Sequence, residues 1–158
     1  MAIALYLKIA GVDGESMDSD HKSWIDVEAF SWGATQPSTL DRGGGGGGGK
    51  ATFHDLVATG KIDKGYPTLL DKCYSGDHID KIECHAVKAG GSSKVTYLKV
   101  ELETVLVTNV SLTGSSGADT TVAYSFQGAK LKTSYTAQTE KGGAGAAVNK
   151  QWDIKASK

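Results

Sequence analysis

A mainly β protein is predicted here: a closed antiparallel β-barrel with one short α-helix and an extended glycine-rich loop. Three patterns carry that expectation. Apolar residues alternate with polar ones over several long runs, as half-buried strands require. In at least three of those runs the buried parity switches partway, as it does where a strand bulges or turns a barrel corner. A single stretch follows a helical period instead.

The runs support this in order. In IALYLKI, Ile3, Leu5, Leu7 and Ile9 fall on one face. In SWIDVEA, Ile25, Val27 and Ala29 share a face, and Phe30 and Trp32 continue with the opposite parity, so a bulge is expected near Ala29. ATFHDLV alternates through Phe53, Asp55 and Val57 and reads as a strand. In YPTLLDKCYSG, Tyr66, Leu69, Leu70 and Cys73 follow the i, i+3, i+4, i+7 spacing; Pro67 suits the first turn and Gly76 the stop. HIDKIECHAVK places Ile82, Cys84 and Ala86 on one side.

The strongest strand signal is VTYLKVELETVLVTNVSL, residues 95–112. Leu98, Val100, Leu102 and Leu106 share one parity, and Lys99, Glu101 and Glu103 the other. Eighteen extended residues would span ~60 Å, whereas a compact domain of this length is ~40 Å across. The strand must therefore coil or break near Thr104, where Val105 and Val107 change face. In TVAYSFQGAKLKTSY, Val122, Tyr124 and Phe126 face one way, and after Gly128 the apolar positions become Ala129, Leu131 and Tyr135. A glycine at such a switch reads as a bulge or barrel corner. AGVDGES, AGGSS and LTGSSGAD supply turns. The count comes to roughly seven strands and one helix. Residues 1–158 read as a single domain, without an internal repeat.

Composition narrows the function. The chain has 158 residues, is 39% hydrophobic and 22% charged, and carries a net charge of −1. No basic field exists to attract a phosphate backbone, so nucleic acid is not the expected partner. The start, MAIALYLKIAGVDGE, lacks a positive n-region, and Lys8 interrupts its apolar run. No run approaches the ~20 apolar residues of a membrane helix. The expectation is synthesis in the cytoplasm, no membrane insertion, and export, if any, without a cleaved leader. Two cysteines, Cys73 and Cys84, are too few for a disulfide scaffold.

Candidate sites compete with plainer readings. Positions 43–49 are seven consecutive glycines followed by Lys50, and Gly44, Gly49 and Lys50 reproduce most of a phosphate loop. Such a loop needs a buried strand before it and a helix after it. Here GATQPSTLDR precedes, ATFHDLV follows, and Ala51 stands where a magnesium-binding hydroxyl belongs. A mobile linker, or a loop that orders against a neighbouring subunit, suits the context better. Cys73, His78, Cys84 and His85 suggest zinc, but adjacent Cys84 and His85 point to opposite faces of a strand; both cysteines read as small buried hydrophobes. Asp13, Glu15, Asp18 and Asp20 crowd one loop without calcium-loop spacing. No Ser sits in a G-x-S-x-G elbow, and His21, His54, His78 and His85 lie in dispersed contexts; His54 and Asp55, if on a strand, alternate faces. No catalytic residue, metal or cofactor is assigned.

The ordered segments resemble the haemolysin-coregulated protein (Hcp) family, the tube protein of type VI secretion in Gram-negative bacteria. LYLKIAGVDGESMDSDHKSWIDV is similar to the family's opening, and FSWGATQ to its W-S-W-G-x-S-Q strand, with Phe30 and Thr35 as departures. The glycine run before FHDL, then KIDKGYPTLLDKCYSGDHI, KAGG and YLKVELETVLVTNVS fit in sequence, as does QWDIKASK, where Gln151 replaces the usual glycine. Together they cover nearly the whole chain.

The resemblance implies a barrel subunit that forms homohexameric rings around a wide pore. Rings stack into a tube expelled by a contracting sheath, with spike and baseplate proteins as further partners and effector proteins carried in the lumen. It makes Asp41, Arg42, Gly43, Gly44, Gly45, Gly46, Gly47, Gly48, Gly49 and Lys50 an assembly loop, and Ser31 a candidate lumen contact for cargo. Ser31 lies opposite both flanking aromatics. The competing expectation is a monomeric β-barrel binding module for a small ligand or peptide.

Overall fold

The structure, a computed structural model, describes residues 2–38, 40, 49–90 and 93–158. Their elements run in the order β1 (Ala2–Ile9), β2 (Ile25–Val27), β3 (Ala29–Ser31), β4 (Ala34–Thr35), β5 (Thr52–Phe53), β6 (Leu56–Lys61), α1 (Tyr66–Ser75), β7 (Ile79–Gly90), β8 (Ser93–Thr113), β9 (Thr121–Gln138) and β10 (Ala144–Asp153). Ten strand segments replace the roughly seven expected, because several runs are cut by one or two residues.

Those cuts close the barrel. All pairings are antiparallel, in the order β2-β1-β7-β8-β9-β6-β3, with β10 added to β9. β2 pairs with β1 and β3 pairs with β6, yet Glu28 alone separates them. One kinked strand therefore joins the first and last members of the sheet. The expected switch near Ala29 falls at Glu28, whose amide donates to the Thr59 carbonyl at 2.8 Å. Ile25 is buried on one side of the kink, and Phe30 packs against the core on the other.

The long strand coils rather than breaks. β8 runs 21 residues, and Thr104 takes a positive φ of 53°, a conformation β-branched residues rarely adopt. Across it the buried side chains change from Val100 and Leu102 to Val105 and Val107. Leu106, which parity alone would group with Leu102, is turned outward and 37% exposed. Opposite lies Gly128, paired with Val105. A Cβ there would sit 2.8 Å from the Leu102 Cβ, so only a glycine lets the two strands meet at this corner. Inside, Leu7, Leu56, Ile82, Leu102, Val105 and Phe126 fill the barrel.

α1 seals one side through Leu69, which is fully buried. Pro67 lies in its first turn, and Gly76 ends it with φ +70°, its amide donating to the Lys72 carbonyl at 3.1 Å. Cys84 is buried in the core, where desolvation pushes its thiol up to about 12, and Cys73 packs against the core from α1.

Candidate functional site

Ser31 ends β3, exposed, while Phe30 and Trp32 on either side pack against the core. It pairs with Val57 and lines a shallow depression of about 430 Å³ with Trp32, Gly33, His54 and Asp55. His54 and Asp55 do not alternate across a strand: they form the break between β5 and β6 and line this depression together. Thr108 Oγ1 donates to Asp55 Oδ2 at 2.6 Å, and Gln127 Nε2 donates to Asp55 Oδ1 and to the Phe53 carbonyl. Asp55 thus anchors the break to β8 and β9. A hydroxyl, an imidazole and a carboxylate share the depression, but among the described residues no hydrogen bond links Ser31 to His54. The depression offers polar contacts to whatever enters it.

Of the proposed assembly loop, Asp41, Arg42 and Gly43 to Gly48 lie outside the described residues; Gly49 and exposed Lys50 lie within them. Its base is a two-stranded ribbon, Ala34 opposite Phe53 and Thr35 opposite Thr52. Gly49 donates its amide to the Pro37 carbonyl at 3.4 Å. After Lys50 the chain enters β5, not the helix that a phosphate loop leads into.

Beyond Gly128 the partner of β9 changes from β6 to β10, and the sheet runs out past the closed barrel. Its inner face continues the core outward: Leu102, Leu131 and Trp152 form one cross-strand row, and Leu98, Tyr135 and Val148 another. Trp152 is 43% and Val148 61% exposed. Trp152, Phe53 and Trp32 border an apolar depression of about 450 Å³ between β10 and the loop base. The outer face carries rows of charge, Lys81–Glu103–Lys130–Asp153 and Glu83–Glu101–Lys132–Gln151. Lys81 Nζ lies 2.9 Å from Glu83 and 3.5 Å from Glu101, and the hydrogen bond it donates to Glu83 chiefly raises its pKa. Two depressions of about 570 and 300 Å³ open here, where lysines stand among Glu101, Glu103 and Asp153 and the amides of Asn149 and Gln151.

The β2–β6 seam has the opposite character. A depression of about 410 Å³ is lined by Glu15, Asp26, Glu28 and Asp63, with Lys61 and Ile62. Burial raises the Asp63 pKa, despite the amide of Gly65 donating to it at 2.9 Å.

Two of the histidines that seemed dispersed meet. His21 Nε2 lies 3.1 Å from His85 Nδ1, and its Nδ1 lies 2.9 Å from Asp18 Oδ2. Lys94 Nζ donates to Asp18 Oδ1 at 2.6 Å. That bond, with the one to His21, holds the Asp18 carboxyl down to about 2. Tyr6 stacks on His21 at 4.4 Å, and Trp24 lies against both imidazoles. Burial lowers His85 to about 4, and among the described residues its Nε2 is buried without a partner. The sequence signal was faint: Asp18 stands three residues before His21, and the register sets Tyr6 opposite His85. The acidic loop itself diverges, since Asp18 turns to this pair and Glu15 Oε2 accepts the Lys64 amide at 3.1 Å. Among the described residues no three His, Cys, Asp or Glu side chains converge as a metal site.

Residues 6–135 match the family described as "Type VI secretion system effector, Hcp". The chain is 40% identical over 157 residues to Protein hcp1 of Pseudomonas aeruginosa, covering 98% of this chain and 97% of that protein. It superposes on the structure of a type six secretion system protein with a TM-score of 0.94 and 27% identity, covering 99% of both chains. Hcp1 from Salmonella typhimurium aligns with a TM-score of 0.83 and 31% identity, over 100% of this chain and 99% of the other.

Proposed function

This chain belongs to the Hcp family of type VI secretion proteins and is a structural subunit of the secretion tube, and from that premise we propose that six copies close into a ring whose stacks form the tube. A contractile sheath surrounds it, spike and baseplate proteins are further partners, and effector proteins ride in the lumen. It assembles in the cytoplasm and is then secreted. It performs no chemical turnover.

The observation that carries this reading is the filled barrel. Leu7, Leu56, Ile82, Leu102 and Phe126 occupy the interior, leaving nothing inside one subunit for a protein cargo to pass through. A conduit built from this fold must lie between copies. The polar depression around Ser31 suits a lumen contact, since a carrier must release its cargo and shallow polar contacts bind weakly. The ribbon β4–β5, which flanks residues 41–50 in the chain, suits an assembly loop that contacts a neighbouring copy.

Electron microscopy of the concentrated protein, with native mass spectrometry, tests the ring. Hollow annuli of six-subunit mass are expected, and a monomer at every concentration overturns the reading. Deleting residues 43–49 is expected to abolish stacking. Ser31→Trp is expected to keep the rings but lose effector co-purification.

A further inference from the structure

The loop between β1 and β2 is tied to the sheet at its tip, residues 17–22, by two side chains. Asp18 accepts from Lys94 of β8 at 2.6 Å, and His21, 4% exposed, meets His85 of β7 at 3.1 Å. Tyr6 of β1 stacks on His21, and Trp24 stands edge-on to it. None of residues 17–22 belongs to a strand. β7, by contrast, is paired with β1 on one side and β8 on the other. Whatever forces the two imidazoles apart therefore moves the tip before it moves the sheet. The tip is also wound under strain: Ser23, where it turns back toward β2, holds φ at 65°, a conformation that side chains seldom adopt.

The protons of the pair can be counted. The Asp18 carboxylate only accepts, so His21 Nδ1 donates to it. With both rings neutral, His21 Nε2 then accepts from His85 Nδ1, and His85 Nε2 is bare. A proton added to His85 goes to Nε2. A proton added to His21 reverses the hydrogen bond between the rings and again leaves His85 carrying its N–H at Nε2. That atom is buried without a partner among the described residues. Either way the added charge comes with a buried N–H that has no acceptor, an unfavourable pairing in an apolar wall. A second proton is worse, since it sets two N–H groups face to face.

The surroundings give little relief. On β7, Glu83 favours a proton on His85, while Lys81, Lys99 of β8 and His21 oppose one. Glu101 of β8 draws Lys81 away, Asp18 and Asp20 hold Lys94, Lys8 of β1 lies over Trp24, and Asp26 of β2 stands opposite Tyr6. Burial outweighs these charges and lowers His85 from 6.5 to about 4. Asp18 is held down to about 2, so its tie to Lys94 is kept through the range in which His85 changes charge. Freed of burial, His85 binds a proton more readily, so acid favours the open tip.

We propose that residues 17–22 form an acid-released latch, closed over Tyr6 and His85 near neutral pH and lifted from the sheet when the histidine pair takes up a proton. The barrel beneath stays folded. The latch is a property of one subunit and stands independently of how copies assemble.

Hydrogen exchange of the full chain, followed by mass spectrometry and corrected for the pH dependence of the chemical step, tests this. The amides of His21, Ser23 and Trp24 donate within the loop, to the carbonyls of Asp18, Ser16 and His21, so lifting frees them. Between pH 7 and pH 4.5 the corrected exchange of the peptide spanning 14–24 is expected to quicken by at least about 10-fold, and that of β9 by much less. His85→Gln has no charge to gain there, and its loop is expected to keep nearly the same corrected rate at both pH values. Asp18→Asn loosens the grip on Lys94 and is expected to quicken loop exchange already at pH 7. Circular dichroism at both pH values checks the barrel in each variant. A loop in the wild type that does not respond to pH overturns the latch, and so does a β9 that quickens by the same factor, which is unfolding of the whole barrel. An equal response in His85→Gln overturns the histidine pair as its trigger, and an Asp18→Asn loop as slow as the wild type at pH 7 overturns the tie.

Discussion

The two halves of β9 make an instructive contrast. Both are strand, and both pair with β8. Before Gly128 the strand lies between β8 and β6, and Val122, Tyr124 and Phe126 are buried. After it the strand lies between β8 and β10, the charged outer face shows, and Tyr135 on the inner face is 50% exposed. Secondary structure is the same on both sides of the glycine. What differs is whether another part of this chain covers the sheet.

The largest break in that contrast comes from truncation on either side. Phe126→Ala is expected to destabilise the monomer by about 3–5 kcal/mol, the cost of a large core cavity. Tyr135→Ala is expected to fall within about 0.5–1 kcal/mol. Urea unfolding of both variants reads the difference directly. If Tyr135→Ala costs as much as Phe126→Ala, the outer half is covered within the subunit after all.

A smaller effect sharpens the boundary itself. Gly128→Ala places a methyl 2.8 Å from the Leu102 side chain, and overpacking of that kind costs about 1–3 kcal/mol. Adding Leu102→Gly, which removes the Cβ at that distance, is expected to relieve the clash but open a cavity. The double variant should therefore be more stable than the sum of the two single losses predicts, and a double-mutant cycle measures this.

The smallest effect concerns a covered patch on the outer face. His85 shares β7 with Cys84 but points the other way, under the loop that carries His21 and Trp24. Burial lowers it from its ordinary 6.5 to about 4. Between those values the unfolded chain binds more protons than the folded one, so stability is whole above about pH 6.5 and is lost as pH falls toward 4. Chemical denaturation from pH 7 to 4.5 should show that decline, flattened in His85→Gln. An unchanged slope in the variant would assign the decline to other groups.

Much of the barrel was legible in residue order. Helix α1 followed from Tyr66, Leu69, Leu70 and Cys73 with Gly76 as its stop, because a helix is specified within four residues. The corners at Thr104 and Gly128 followed from parity, because alternation is a property of next-nearest neighbours. Leu106 shows where parity alone misleads, since a single positive φ at Thr104 turns it to solvent. Ser31 opposite its aromatic neighbours was legible for the same local reason. The pocket that gathers His54 and Asp55 beside it was not, because it depends on a break that β8 and β9 hold through Thr108 and Gln127.

Residue order alone determined that this chain would be a coiled antiparallel barrel with one helix, and the ordered motifs identified its family. Those signals are local, set by side-chain alternation and turn chemistry. Tertiary structure decided that the seam closes at Glu28, that His21 meets His85 from 64 residues away, and that Lys94 reaches Asp18. Charges far apart in sequence carry no mark of adjacency; strand register and the path of closure bring them together.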